Sequence, residues 1–304
     1  MGGMTLIRTH RPVAGILWML VTGLCFVAVT ALVKYLGPRV PPVEAAFLRY
    51  LLGFVFLIPA LRPMLRARIG ARGQMLFGLR GLLHSGGVVL WFFSMTRIPL
   101  AEVTAINYLA PVYVTIGAAL FLGEHLAARR IAAVIAALLG ALIILRPGFR
   151  EIGAGHWAMM LAAAVFGGSY LLAKVLADRF DAAVVVTMLS LWVTLALAPF
   201  AAMVWVAPGW GELAILLGVA LFATAGHFTM TLALAAAPVT VTQPVTFLQL
   251  VWATALGAIV FGEAADVWVM LGGGVILAAV SFITWREAVL NRRAITPPVP
   301  ATKV

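Results

Sequence analysis

Two basic side chains stand one helical turn apart in a stretch that otherwise reads as lipid-soluble. They are Arg80 and His84 in FGLRGLLHSGG, residues 77–87. With Gly87 and Trp91 they follow i, i+4, i+7, i+11 spacing and share one helix face. An arginine there could hold a carboxylate through paired hydrogen bonds, and a histidine could add a bond or exchange a proton near neutrality. An ionisable group inside a membrane ordinarily faces the bundle or a wet cavity. A second reading stays open for Arg80. It lies about two turns from the basic RIGARG connector and could snorkel to the interface.

Other polar groups are candidates for the same site. The fourth apolar run offers Asn107 and Tyr108, and the ninth offers Gln243, Thr246, Phe247 and Gln249. Such side chains often do no more than bond helices together, for about 0.6–2 kcal/mol each. Pro111 and Pro244 are hinge candidates, since proline frees nearby carbonyls. His227 has Thr224 and Thr231 on its helix face, so a bond to threonine is the plain alternative to a ligand role. Trp18, Phe26, Trp91, Tyr170 and Trp252 could wall an apolar cavity. Arg49 lies about five residues into the second run, where the expectation is snorkelling or a structural partner, Glu44 or Glu102, rather than substrate.

The acids point away from a cation site. All ten (Glu44, Glu102, Glu124, Glu151, Asp178, Asp181, Glu212, Glu263, Asp266 and Glu287) fall in or near connectors, and none lies mid-span. Enzyme signatures are missing: there is no GxSxG, HExxH, CxxC or Walker loop. The expectation is no enzyme, no catalytic residue, no metal and no cofactor. Cys25 is the single cysteine, so no internal disulfide can form, and it reads as a packing residue.

The elements that must position these groups are transmembrane helices. The chain has 304 residues, 64% of them hydrophobic and 10% charged, with mean hydropathy +1.10. A soluble domain averages about 45–50% apolar. Ten apolar runs recur: 13–33, 44–61, 74–95, 101–121, 128–145, 156–177, 183–206, 212–234, 239–261 and 267–285. The run after Arg8, His10 and Arg11 is too long for the core of a secretory signal and reads as a retained first span. The tail from Asn291 to Val304 reads as unstructured. With both termini inside, 14 Lys and Arg fall in cytoplasmic segments and 5 in outer ones. The net charge of +11 is thus spread along the inner face against acidic lipid, and nucleic acid is not expected as a partner. The expected partners are the bilayer and a small-molecule substrate. Proton coupling is open, and a monomer suffices.

The chain repeats itself. Gly15, Phe26, Lys34 and Pro59 match Gly155, Phe166, Lys174 and Pro199 at a shift of 140. Pro99, Gly123 and Glu124 match Pro238, Gly262 and Glu263 at a shift of 139, which also sets Tyr108 on Phe247 and Asn107 on Thr246. Five spans per repeat make the second half enter the membrane from the opposite side, the inverted-repeat plan of many secondary transporters. The expected fold is all-α integral membrane. Its units are a first repeat over 13–146, a second over 155–286, and cytoplasmic tails at 1–12 and 287–304.

RIPLAEVTAINYLAPVYVTIGAALFLGE and its partner AAAPVTVTQPVTFLQLVWATALGAIVFGE resemble the paired repeats of the EamA family in the drug/metabolite transporter superfamily. The resemblance covers about residues 13–286. It implies ten helices, a central cavity lined by helices 1, 3, 4, 6, 8 and 9, and secondary transport across the bacterial inner membrane. The family includes YddG-type exporters of aromatic and other amino acids, so amino-acid export is the leading expectation. Uptake of a nucleoside-like or adenosyl metabolite is the alternative within the same fold. An intramembrane enzyme or a sensor is disfavoured, since neither needs two-sided symmetry.

Overall fold

The computed structural model describes residues 12–122, 128–149, 151–177, 179–237 and 242–295. They form eleven α-helices and no strand: α1 (Pro12–Leu36), α2 (Pro42–Arg66), α3 (Ala71–Met95), α4 (Leu100–Asn107), α5 (Ala110–Leu122), α6 (Ala128–Leu145), α7 (Ala154–Ala177), α8 (Ala182–Met203), α9 (Trp210–Ala236), α10 (Phe247–Phe261) and α11 (Val267–Ile295). Eight stretches are long and apolar enough to cross a membrane, and the shorter apolar helices at Ile131–Leu145 and Phe247–Phe261 complete ten spans. Helix is the required form here, because lipid satisfies no backbone N–H or C=O.

Two of the expected spans are not single helices. The run at 101–121 is broken at Tyr108 and Leu109, between α4 and α5. Pro111 has no N–H to give the carbonyl of Asn107, so the ladder fails one turn before it. The ninth span opens with a 3₁₀ turn, Gln243–Thr246, before α10. Its expected start at 239 and the matched Pro238 lie outside the described residues. Both breaks fall at the matched positions 107/108 and 246/247, although the two prolines occupy different registers. A third difference concerns the tail. The helix α11 runs on to Ile295, through residues expected to be unstructured, because REAVLNRRA is rich in good helix formers.

Packing follows the repeat. Helix α1 packs along α9 as α7 packs along α3, and α2 against α9 as α8 against α3. Helices α2 and α8 pack together, as do α6 and α11, and α4 and α10. Close approaches obey the same exchange. A Cβ on Gly15 would come 2.4 Å from that of Ala237, and one on Gly155 would come 2.8 Å from Ile98 and 3.0 Å from Arg97. Shifting 15 and 97 by 140 gives 155 and 237. One two-fold relation therefore accounts for both crossings, and the two halves are inverted repeats.

The recurring Pro…Gly-Glu frame gains a physical reason. Gly262 takes the left-handed conformation, φ 65°, and ends α10. The turn brings Glu263 back toward the start of α4, where its carboxylate accepts from the N–H of Leu100 at 2.9 Å. Glu263 is also paired with Lys34 at the end of α1. One carboxylate thus caps a helix of the first repeat and neutralises a lysine there. The matched Gly123 and Glu124 lie outside the described residues.

Candidate functional site

Arg80 is 6% exposed and points into the protein. Its Nη1 donates to the carbonyl of Val185 in α8 at 3.0 Å, and its Nε has no partner. Val185 lies in the first turn of α8, so the guanidinium meets that end of the helix from within the bundle. His84, one turn on, is buried, and its Nδ1 lies 3.2 Å from the Ser169 hydroxyl of α7.

Around His84 stands an aromatic box. Ring centroids lie 5.0 Å away at Phe166, 6.2 Å at Tyr50 and 6.4 Å at Tyr170. Phe166 and Tyr170 stack with planes 11° apart, and Trp91 meets Phe166 edge-on. Gly87 makes this arrangement fit, since a Cβ there would sit 2.7 Å from the Phe166 ring. The face read as Arg80, His84, Gly87 and Trp91 therefore receives α7 through Phe166. Tyr170 remains 39% exposed although its ring faces α3, so open space borders it.

Arg49 departs from expectation. It is 7% exposed, and it pairs with no carboxylate among the described residues. Glu44 instead accepts from the N–H of Val206, and Glu102 bonds His156 at 2.7 Å. Glu44 precedes Arg49 by five residues, which sets the two side chains about 140° apart around the helix. Its guanidinium lies 4.1 Å from the ring centre of Tyr50, and its Nε and Nη1 have no partner.

His227 in α9 meets Phe26 of α1 edge-on, with centroids 5.2 Å apart. This is the repeat image of Phe166 over Gly87. Asn107, Tyr108, Thr246, Phe247 and Gln249 form a separate group at the helix breaks. Tyr108 donates to the carbonyl of Thr246 at 2.7 Å, pinning one break to the other. Phe247 packs toward Gly274, and Gln249 toward Gly23. The Oδ1 of Asn107 is buried and has no partner. Pro111 opens α5, and Pro244 lies in the 3₁₀ turn. Trp252 packs on Gly23, outside the aromatic box.

Sequence reasoning omitted Tyr50 and Ser169. Tyr50 carries no signal beyond its adjacency to Arg49. Ser169 lies one turn from Phe166 on a helix rich in small residues. Helix α2 thus contributes Tyr50 to the cluster around His84.

Family comparison agrees with this architecture. The EamA-like transporter family model matches residues 13–146 and again residues 153–285. The chain belongs to the EamA-like transporter family. Among its relatives is a riboflavin transporter of Rhizobium johnstonii, 29% identical over 94% of this chain and 96% of that protein. An S-adenosylmethionine uptake transporter of Rickettsia prowazekii is 26% identical over 90% and 93%. The pseudopaline exporter CntI of Pseudomonas aeruginosa is 25% identical over 88% and 94%. A solved crystal structure with 18% identity superposes with a TM-score of 0.61, covering 93% of this chain and 99% of the other, and supports the fold. This EamA chain is therefore a multi-pass membrane transporter of small molecules and not an enzyme. The names of these three relatives include both uptake and export.

Proposed function

We propose that this EamA protein is a secondary transporter of a small carboxylate-bearing metabolite with a flat apolar body, with the aromatic amino acids as the simplest such class. The observation that carries the reading is the unpaired Nε of buried Arg80 beside the stacked Phe166–Tyr170 pair and His84. Arg80 would hold the carboxylate and the aromatic box would grip the ring, with Asn107 and Tyr108 apart from both at the helix break. Trp91, Tyr170 and His227 would shape the cavity. Gln243, Thr246, Phe247 and Gln249 would form its edge at the helix break, with Pro111 and Pro244 as hinges.

Transport would run by exchange of the two repeats between inverted conformations, in the direction of export. The basic bias of the even-numbered connections supports both termini in the cytoplasm. The relatives' names favour a second reading, uptake of a flat heterocyclic metabolite such as riboflavin. S-adenosylmethionine fits this chain less well, because its net positive charge would meet two buried guanidiniums. Flux in proteoliposomes across an amino-acid panel, with riboflavin alongside and with or without a pH gradient, decides the matter. Movement of riboflavin while every amino acid stays put overturns the leading reading.

A further inference from the structure

The cavity cluster holds two arginines and no acid. Arg49 and Arg80 are each more than nine-tenths buried, and both have guanidinium nitrogens without partners. Among the described residues no carboxylate pairs with either guanidinium. A buried charge left without a partner costs of order several kcal/mol. Substrate with a single carboxylate would answer Arg80 and leave Arg49 as it is.

The levels of the two residues matter. Helices α2 and α3 run antiparallel from the short connection 67–70. At about 1.5 Å per residue, Arg80 stands about 13 Å and Arg49 about 25 Å from that connection. His84 and Tyr50 fall between them, and their rings face each other. The other neighbours at this level are Tyr170, Ser169 and His227, none of them anionic at neutral pH. A positive group thus stands at each end of one aromatic box, about 12 Å apart along the helix axes.

Resting on the transport reading above, we propose that Arg49 and Arg80 form one two-ended anion site, whose occupant is a small flat metabolite with an acidic group at each end. The acidic groups are carboxylate or phosphate, since guanidinium binds both in the same forked manner. The tyrosine under Arg49 orients its guanidinium, as a cation over a ring is held.

The test uses pairs of probes that differ by one acidic group. In proteoliposomes, phenylalanine is compared with 4-carboxyphenylalanine, and riboflavin with flavin mononucleotide, as both transported solutes and competitors. The expected result is that the probe with the extra acid acts at a concentration lower by roughly tenfold or more. Arg49→Gln should erase that difference, and Arg49→Lys should retain part of it. Size-exclusion behaviour of both variants checks folding. Where only the flavin pair discriminates, the single phosphate of flavin mononucleotide needs one guanidinium alone, and the two-ended site falls. Absence of a preference in both pairs overturns the two-ended site, whichever solute moves. Equal preference in wild type and a folded Arg49→Gln overturns it as well.

Discussion

Phe166 of α7 lies over Gly87 of α3, close enough that a single methyl group at position 87 would come 2.7 Å from the ring. The inverted repeat turns that contact into Phe26 against His227, where a ring replaces the empty space. The same crossing is thus built twice with different chemistry. One copy admits a phenylalanine that completes the aromatic box, and the other sets a histidine edge-on to Phe26.

Gly87→Ala should therefore damage the box more than the fold. Phe166 is confined by His84, Trp91 and Tyr170 and has little room to give. The expected loss of stability is about 1–3 kcal/mol, with a larger loss of substrate flux. Gly226→Ala is the control, since its Cβ would meet Cys25 at an easier 3.2 Å. Equal effects of the two substitutions on flux would show that the Phe166 position is unimportant.

Glu263 serves two partners, and substitutions separate them. Glu263→Gln keeps an acceptor for the Leu100 N–H but loses the charge beside Lys34. Glu263→Ala loses both. The expected costs are about 1–2 kcal/mol for Gln and about 2–4 kcal/mol for Ala, read from thermal unfolding of detergent-purified protein. If Gln and Ala unfold together, the cap on α4 contributes nothing.

Much of this frame is legible in the sequence because it rests on long-range periodicity. Ten apolar runs and a 140-residue shift are properties of many residues at once, and lipid leaves the backbone few alternatives to helix. The shared face of Arg80, His84, Gly87 and Trp91 is equally plain from spacing. Side-chain partners are another matter. Arg49 was expected to find Glu44 or Glu102, each plausible by distance along the chain. Both acids are taken by Val206 and His156, contacts 162 and 54 residues away. The break after Asn107 was hidden because hydropathy continues unchanged across it, and only Pro111 marks the missing backbone bond.

That break gives a third prediction. Pro111→Ala restores an N–H that can reach the Asn107 carbonyl and join α4 to α5. The variant should gain thermal stability and lose turnover, because a continuous helix resists bending at the site. Tyr108→Phe should do the reverse to stability, costing about 0.5–1.5 kcal/mol through the lost bond to Thr246. Melting curves and initial rates measured on the same preparations test both. Faster transport by Pro111→Ala would end the hinge assignment for this proline.

The two arginines also bear on how the carrier resets. To return without cargo, the protein must seal the site over guanidiniums for which no described residue supplies a counter-ion. Sealing strengthens every charge inside, so the empty occluded form is raised by several kcal/mol relative to the loaded one. An anionic solute removes that penalty in either direction. Exchange should accordingly outrun one-way movement, by roughly tenfold for each 1.4 kcal/mol that the solute relieves. The measurement is uptake of labelled solute into vesicles preloaded with the same solute, against vesicles loaded with buffer. Arg49→Gln should narrow the gap by speeding the empty return. Equal rates in preloaded and buffer-loaded vesicles of the wild-type protein would mean that water or lipid headgroups already satisfy both guanidiniums when the cavity closes.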